Sequence, residues 1–170
     1  SDNSADLGEQ YTLDLLSRFQ LNNEELFEVF DYCKDKGKTP LCTPWDLDSL
    51  SALENYGMQA YKVASADLTN LELLEAIART EKTMICSTGM STEVEIKQAV
   101  DFLQNINAQY ILLHCNSTYP TPNRDVNLRY LEKLSLIDQG RVIGYSGHER
   151  GYIAPTLAVA LGAKVVEKHF

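Results

Sequence analysis

The chain has 170 residues, 44% of them hydrophobic, which is enough for one domain with a substantial core. Acidic residues outnumber basic ones by 24 to 15, and the formal net charge of -9 argues against nucleic acid or an anionic membrane as a partner. No apolar run approaches a membrane span, SDNSADLGEQ lacks the basic start and apolar core of a signal peptide, and Cys33, Cys42, Cys86 and Cys115 show no CxxC spacing, so a reduced cytoplasmic protein is expected.

Residues 1–20 read as a loop, linker or short helix, after which Leu26, Phe27, Phe30 and Cys33 recur at helical spacing. The first apolar run, TPLC (39–42), reads as a strand, and Asp46, after Pro44 and Trp45, stands at a strand-to-helix turn. AYKVAS (60–65) is the second strand. Thr69 with Glu72 then matches a capping box ahead of Leu71, Leu74 and Ile77. TMICST (83–88) is the third strand, followed by Thr92 with Glu95 and the apolar stripe Ile96, Val100 and Leu103. YILLHC (110–115) and RVIGYS (141–146) follow. A helix on Ile153, Leu157 and Leu161 leads to KVVEKHF (164–170), the sixth predicted strand.

Strand, loop and helix in repeated order build a parallel sheet, and strands rich in Val, Ile and Leu without strict alternation suit one buried on both faces. The fold class is therefore α/β. An open doubly wound sheet and a TIM (β/α)8 barrel compete, and the absence of GxGxxG after an early strand weakens the dinucleotide-binding form of the former. A barrel needs about eight strand and helix units. Six predicted strands make it an incomplete one, whose missing strands are expected in a part of the protein absent from this chain.

In parallel folds the functional face lies at the carboxyl ends of the strands. Those ends carry Thr43, Ser65 and Asp67, Ser87 and Thr88, His114 and Asn116, Ser146 and His148, and His169, so all three histidines of the chain fall there. Ser146 and His148 share strand parity, as do Glu167 and His169, and neighbouring strands would bring two imidazoles together. Two histidines with a carboxylate nearby suit Mn, Fe, Zn or Co; a pH-sensitive hydrogen-bond network is the plainer alternative. Lys62, inside an apolar strand, calls for a phosphate or carboxylate ligand or an ion pair with Asp67 or another acid. Lys168 has the opposite parity to Glu167 and His169 and is assigned a structural role. The turn STGMSTE suits an anion through its amides and hydroxyls.

Taken together, CTPWD (42–46), YKVASADLTN (61–70), ICSTGMST (85–92), LLHCNSTYPTP (112–122), DVNLR (125–129), GYSGHE (144–149) and GAKVVEKHF (162–170) resemble the barrel domain of the N-acetylneuraminate (sialic acid) synthases. The resemblance implies condensation of phosphoenolpyruvate with an N-acylated amino sugar, such as N-acetylmannosamine, to a nine-carbon 2-keto sugar acid and phosphate. It implies a divalent metal, Mn2+ with Mg2+ or Co2+ as substitutes, on His148 and His169. Thr43, Lys62, Ser65, Ser87, Ser117 and Ser146 would hold phosphoenolpyruvate, although Ser117 stands where some members have asparagine. Asp67 and Tyr119 would face the sugar, Lys62 and Glu167 would act in catalysis, and the full-length protein would be a homodimer. On the same resemblance, residues 1–170 are a partial barrel domain of six of the eight strands, with the first two missing and without the family's usual C-terminal antifreeze-like domain, and this piece alone is expected to be inactive. A Schiff-base aldolase using Lys62, or a non-catalytic fragment, are the rival readings.

Overall fold

The computed structural model describes residues 17–169, and the chain divides into two units between Pro40 and Leu41. In the first, residues 17–19 are helical; the remainder of the expected N-terminal loop, residues 1–16, lies outside the described residues. Helix α1 (Asn23–Asp35) begins with a capping box in which Asn22 Oδ1 accepts from the Glu25 amide at 3.0 Å while the Glu25 carboxylate accepts from the Asn22 amide at 2.9 Å.

The second unit alternates helix and strand: α2 (Leu47–Tyr56), β1 (Ala60–Val63), α3 (Leu71–Ala78), β2 (Thr83–Ser87), α4 (Glu93–Asn105), β3 (Tyr110–Cys115), α5 (Tyr130–Ile137), β4 (Ile143–Gly147), α6 (Ile153–Ala160) and β5 (Val165–Lys168). The sequence predicts six strands, and the described residues form five. TPLC makes a single parallel bridge, from Cys42 to Tyr61. The prolines at 40 and 44 explain this, because neither has an amide hydrogen to extend a ladder on its side of the bridge. Asp46 caps α2, accepting from the Ser49 amide at 2.7 Å, and Thr92 with Glu95 forms the expected box at α4. Helix α3 differs from expectation: Asn70, not Thr69, is its cap, accepting from the Leu73 amide at 3.3 Å. The helix starts one residue later than the Thr69–Glu72 pattern implies, where an amide oxygen serves as well as a hydroxyl.

All five strands are parallel and lie in the order β1-β2-β3-β4-β5. A doubly wound sheet reverses its order at a switch point. Here every new strand joins the same edge, which is the winding of a barrel. The sheet also curls. β1 and β5 are its two edges and would stand about 19 Å apart in a flat sheet, farther than two side chains can bridge. Yet Lys62 Nζ on β1 lies 3.7 Å from Glu167 Oε2 on β5. Five parallel strands thus form a curled part of an α/β barrel.

Pleating sorts the two faces. Tyr61, Val63, Met84, Cys86 and Leu112 point to the convex side, where they are buried with Leu74, Ile77, Val100, Leu103, Leu131 and Leu134 of the helices. Each such side chain contributes about 1.5–3 kcal/mol by leaving water. Lys62, Ser87, Ser146 and Glu167 point to the concave side. Gly144 allows the curl: a Cβ there would lie 2.4 Å from Leu113 Cδ2 and 2.5 Å from the Val165 carbonyl oxygen.

Candidate active site

At the carboxyl ends of the strands a cavity of about 420 Å3 opens on the concave side. Of the residues that the resemblance assigns to the site, all but Asp67 line it: Thr43, Lys62, Ser65, Ser87, Ser117, Tyr119, Ser146, His148, Glu167 and His169. Two larger grooves, of about 730 and 760 Å3, contain none of these; the first is instead lined by Thr88, His114 and Asn116, the remaining strand-end residues noted from the sequence.

Lys62 anchors one wall. Its ammonium donates to the Val63 carbonyl and to Ser87 Oγ, both at 2.8 Å, and faces Glu167 across the curl. The ion pair expected with Asp67 or another acid is therefore made with Glu167. On the opposite wall Glu167 Oε1 accepts from Ser146 Oγ at 2.7 Å, as the register of β4 against β5 requires. One cation, one carboxylate and two hydroxyls thus share the floor, with Lys62 only 14% exposed.

The loops complete the cavity. Ser65 Oγ accepts from the Gly89 amide at 3.0 Å, joining the segment after β1 to that after β2. Gly89 is required there by close approach, since a Cβ would lie 2.6 Å from Ser117 Oγ and 2.9 Å from Cys115 Sγ. The turn STGMSTE is less open to an anion than its composition suggests. The Thr92 amide donates to Glu95 Oε2 at 2.7 Å and the Glu95 amide donates to Thr92 Oγ1 at 3.3 Å, so the cap occupies its own donors.

The histidines divide by pleat. His114 points away from the cavity and is buried in the helix layer, where its Nε2 bonds the Val126 carbonyl at 2.8 Å and burial lowers its pKa. His148 and His169 converge with ring centroids 5.2 Å apart, and the Tyr119 ring lies 4.0 Å from the first and 5.8 Å from the second. His148 Nδ1 lies 2.7 Å from the Asn116 carbonyl oxygen. A carbonyl can only accept, so Nδ1 carries the proton and the Nε2 lone pair is left for a ligand, the usual arrangement of a metal-binding imidazole. The two imidazoles are only a partial donor set for a divalent ion, since the described residues contain no cluster of three or more His, Cys, Asp and Glu able to hold one. Burial, with the charges of Cys115 and Glu167, raises the Tyr119 pKa and keeps its hydroxyl a neutral donor.

Asp67 is set apart from the cavity wall. Its Oδ1 accepts from Asn70 Nδ2 at 3.3 Å, and its Oδ2 is buried with no partner among the described residues. Sequence reasoning missed the Asn116 carbonyl, whose role is backbone geometry, and it gave no function to Trp45 or Met90, which border the cavity. Trp45 could have been found, as the one tryptophan of the chain, immediately before the capping Asp46. Lys168 has the structural role expected, donating to Glu149 Oε1 at 2.9 Å. Among the described residues no helix is long and apolar enough to cross a membrane.

The chain is 45% identical over 158 residues to an uncharacterised protein of Methanocaldococcus jannaschii, MJ1065, covering 92% of this chain and 47% of that protein. It is 38% identical to the N,N'-diacetyllegionaminic acid synthase of Campylobacter jejuni, covering 93% of this chain and 48% of the synthase. The crystal structure of the N-acetylneuraminic acid (sialic acid) synthetase of Leptospira borgpetersenii, determined with citrate, superposes with a TM-score of 0.88 at 33% identity, covering 95% of this chain and 56% of the other. The chain spans about half the length of the curated relatives it matches. The match to the NeuB family extends over residues 1–170, and with these similarities the chain belongs to that family.

Proposed function

We propose that this chain supplies the phosphoenolpyruvate-binding floor and the metal-binding wall of a synthase that joins phosphoenolpyruvate to an N-acylated amino sugar, releasing phosphate and a nine-carbon 2-keto sugar acid. The carrying observation is the largely buried ammonium of Lys62, pointing into a hydroxyl-lined cavity whose far wall is two converging imidazoles. A chain of net charge -9 has strong reason to place its cation there if the ligand is an anion.

In this reading Lys62, Ser87 and Ser146 position the phosphate and carboxylate of phosphoenolpyruvate, with Thr43, Ser65 and Ser117 on the same walls. Tyr119 and, from outside the cavity, Asp67 serve the sugar. Glu167, which accepts from Ser146 and faces Lys62, is the carboxylate assigned to catalysis on that floor. A divalent ion on His148 and His169, Mn2+ first among candidates, would supply Lewis-acid polarisation of the sugar's aldehyde oxygen. The methylene carbon of the enol phosphate attacks that aldehyde carbon, and the aldehyde oxygen becomes a hydroxyl with a proton given up by the incoming water. Water then adds at the carbon bearing the phosphate, and phosphate leaves with carbon–oxygen cleavage.

The aldolase alternative is less well supported, because Lys62 Nζ donates to two oxygens and faces a third, which is the setting of a charged anchor. Borohydride reduction in the presence of pyruvate decides between them. We expect no adduct on Lys62; a covalent adduct there would replace the synthase reading with the aldolase one.

A further inference from the structure

Behind the two imidazoles lies a polar cluster that the proposed reaction does not use. Glu149 immediately follows His148, and Lys168 immediately precedes His169. The Glu149 side chain is 1% exposed. Its Oε2 accepts from the Tyr145 hydroxyl at 2.7 Å and its Oε1 from Lys168 Nζ at 2.9 Å, while Lys168 also donates to the Glu149 main-chain carbonyl. Tyr145 belongs to β4 and Lys168 to β5, so one carboxylate joins the ends of both strands from which the histidines project. The packing leaves no slack: a Cβ on Gly147 would lie 2.7 and 2.8 Å from the two Glu149 carboxylate oxygens.

We propose that Glu149 is a positioning residue, which with Lys168 and Tyr145 sets the separation and orientation of His148 and His169. The inference rests on the reading of those histidines as one ligand set. Burying a carboxylate and an ammonium costs desolvation energy, and an apolar trio of the same volume would stabilise the fold at least as well. What the charged trio adds is direction. Each bond fixes one atom of the 147–149 segment against a strand, and the same segment is held on its other side by the Thr121 amide, which donates to the His148 carbonyl at 3.1 Å. His148 reaches the Asn116 carbonyl, and so holds one tautomer, only while this segment stays in place.

The test uses the full chain with E149Q and with the double variant E149Q/K168M, which leaves no buried charge unpaired and keeps the question open if the single variant fails to fold. Long-range proton–nitrogen NMR of the imidazoles, recorded without metal, reads the His148 tautomer. In the parent chain it should show protonated Nδ1 alone, and in a folded variant a mixture of tautomers. Titration with Mn2+ should show affinity weaker by about tenfold or more in the same variant. A folded variant that keeps a single His148 tautomer and binds Mn2+ within about twofold of the parent overturns the clamp. If the parent itself does not bind Mn2+, the metal reading fails, and the tautomer measurement alone decides the clamp.

Discussion

Replacing Lys62 with Met removes the cation from the cavity floor and keeps most of the aliphatic stem. The ammonium now makes two hydrogen bonds of 2.8 Å and faces Glu167 at 3.7 Å, with 14% of the side chain exposed. A unit anion about 4 Å from such a cation gains roughly 4 kcal/mol at an effective dielectric constant of about 20. Part of that is returned as desolvation, and losses of single charged hydrogen bonds run at about 1.5–3 kcal/mol. A net loss of about 2–3 kcal/mol is therefore expected, equivalent to ~30- to ~150-fold weaker binding. Calorimetric titration of phosphoenolpyruvate, with inorganic phosphate as a smaller probe, measures it. Lys97→Met provides the control, since Lys97 is 70% exposed and pairs with Asp101 away from the cavity. K62M binding both anions within about threefold of the parent would refute the assignment of Lys62 as anion anchor, provided circular dichroism shows the fold intact.

Two predictions concern the scaffold. Gly144→Ala should destabilise the chain by about 1–3 kcal/mol, because the added methyl would meet Leu113 and the Val165 carbonyl, and the backbone of β5 cannot move aside cheaply; denaturant titration giving a change below ~0.5 kcal/mol would disprove the close approach of β3, β4 and β5. Asp138 is buried, and burial raises its carboxyl pKa despite the hydrogen bond from Tyr110 at 2.6 Å. The native state therefore holds this proton more tightly than the unfolded chain. Its contribution is complete below the unfolded carboxyl pKa of about 4 and is lost as pH rises through the raised native value. Asp138→Asn does not titrate, so its stability minus that of the parent should increase with pH across this window; a difference that stays flat or falls would contradict the burial argument.

The local pattern carried a great deal. Helical spacing at Leu71, Leu74 and Ile77 and at Ile96, Val100 and Leu103, the cap residues Asp46 and Thr92, and the apolar runs at 83–88 and 110–115 depend on interactions within a few residues, which a single sequence displays. The parity of Ser146 with His148 and of Glu167 with His169 was legible for the same reason, because pleating alternates faces whatever the neighbours are. TPLC failed as a strand because Pro40 and Pro44 lack the amides a ladder needs, a signal the sequence did carry, and because pairing also depends on a partner edge, which local composition does not reveal.

The sequence by itself determined which elements form, that their strands run parallel, and which polar residues sit at their carboxyl ends, because periodicity and capping act over short range. Only the tertiary structure decided that Lys62 meets Glu167 rather than Asp67, that the Asn116 carbonyl fixes the His148 tautomer, and that Asp67 lies outside the cavity. Those outcomes depend on how sharply the sheet curls and on where backbone groups approach from distant segments, and curvature is a property of all five strands packed together.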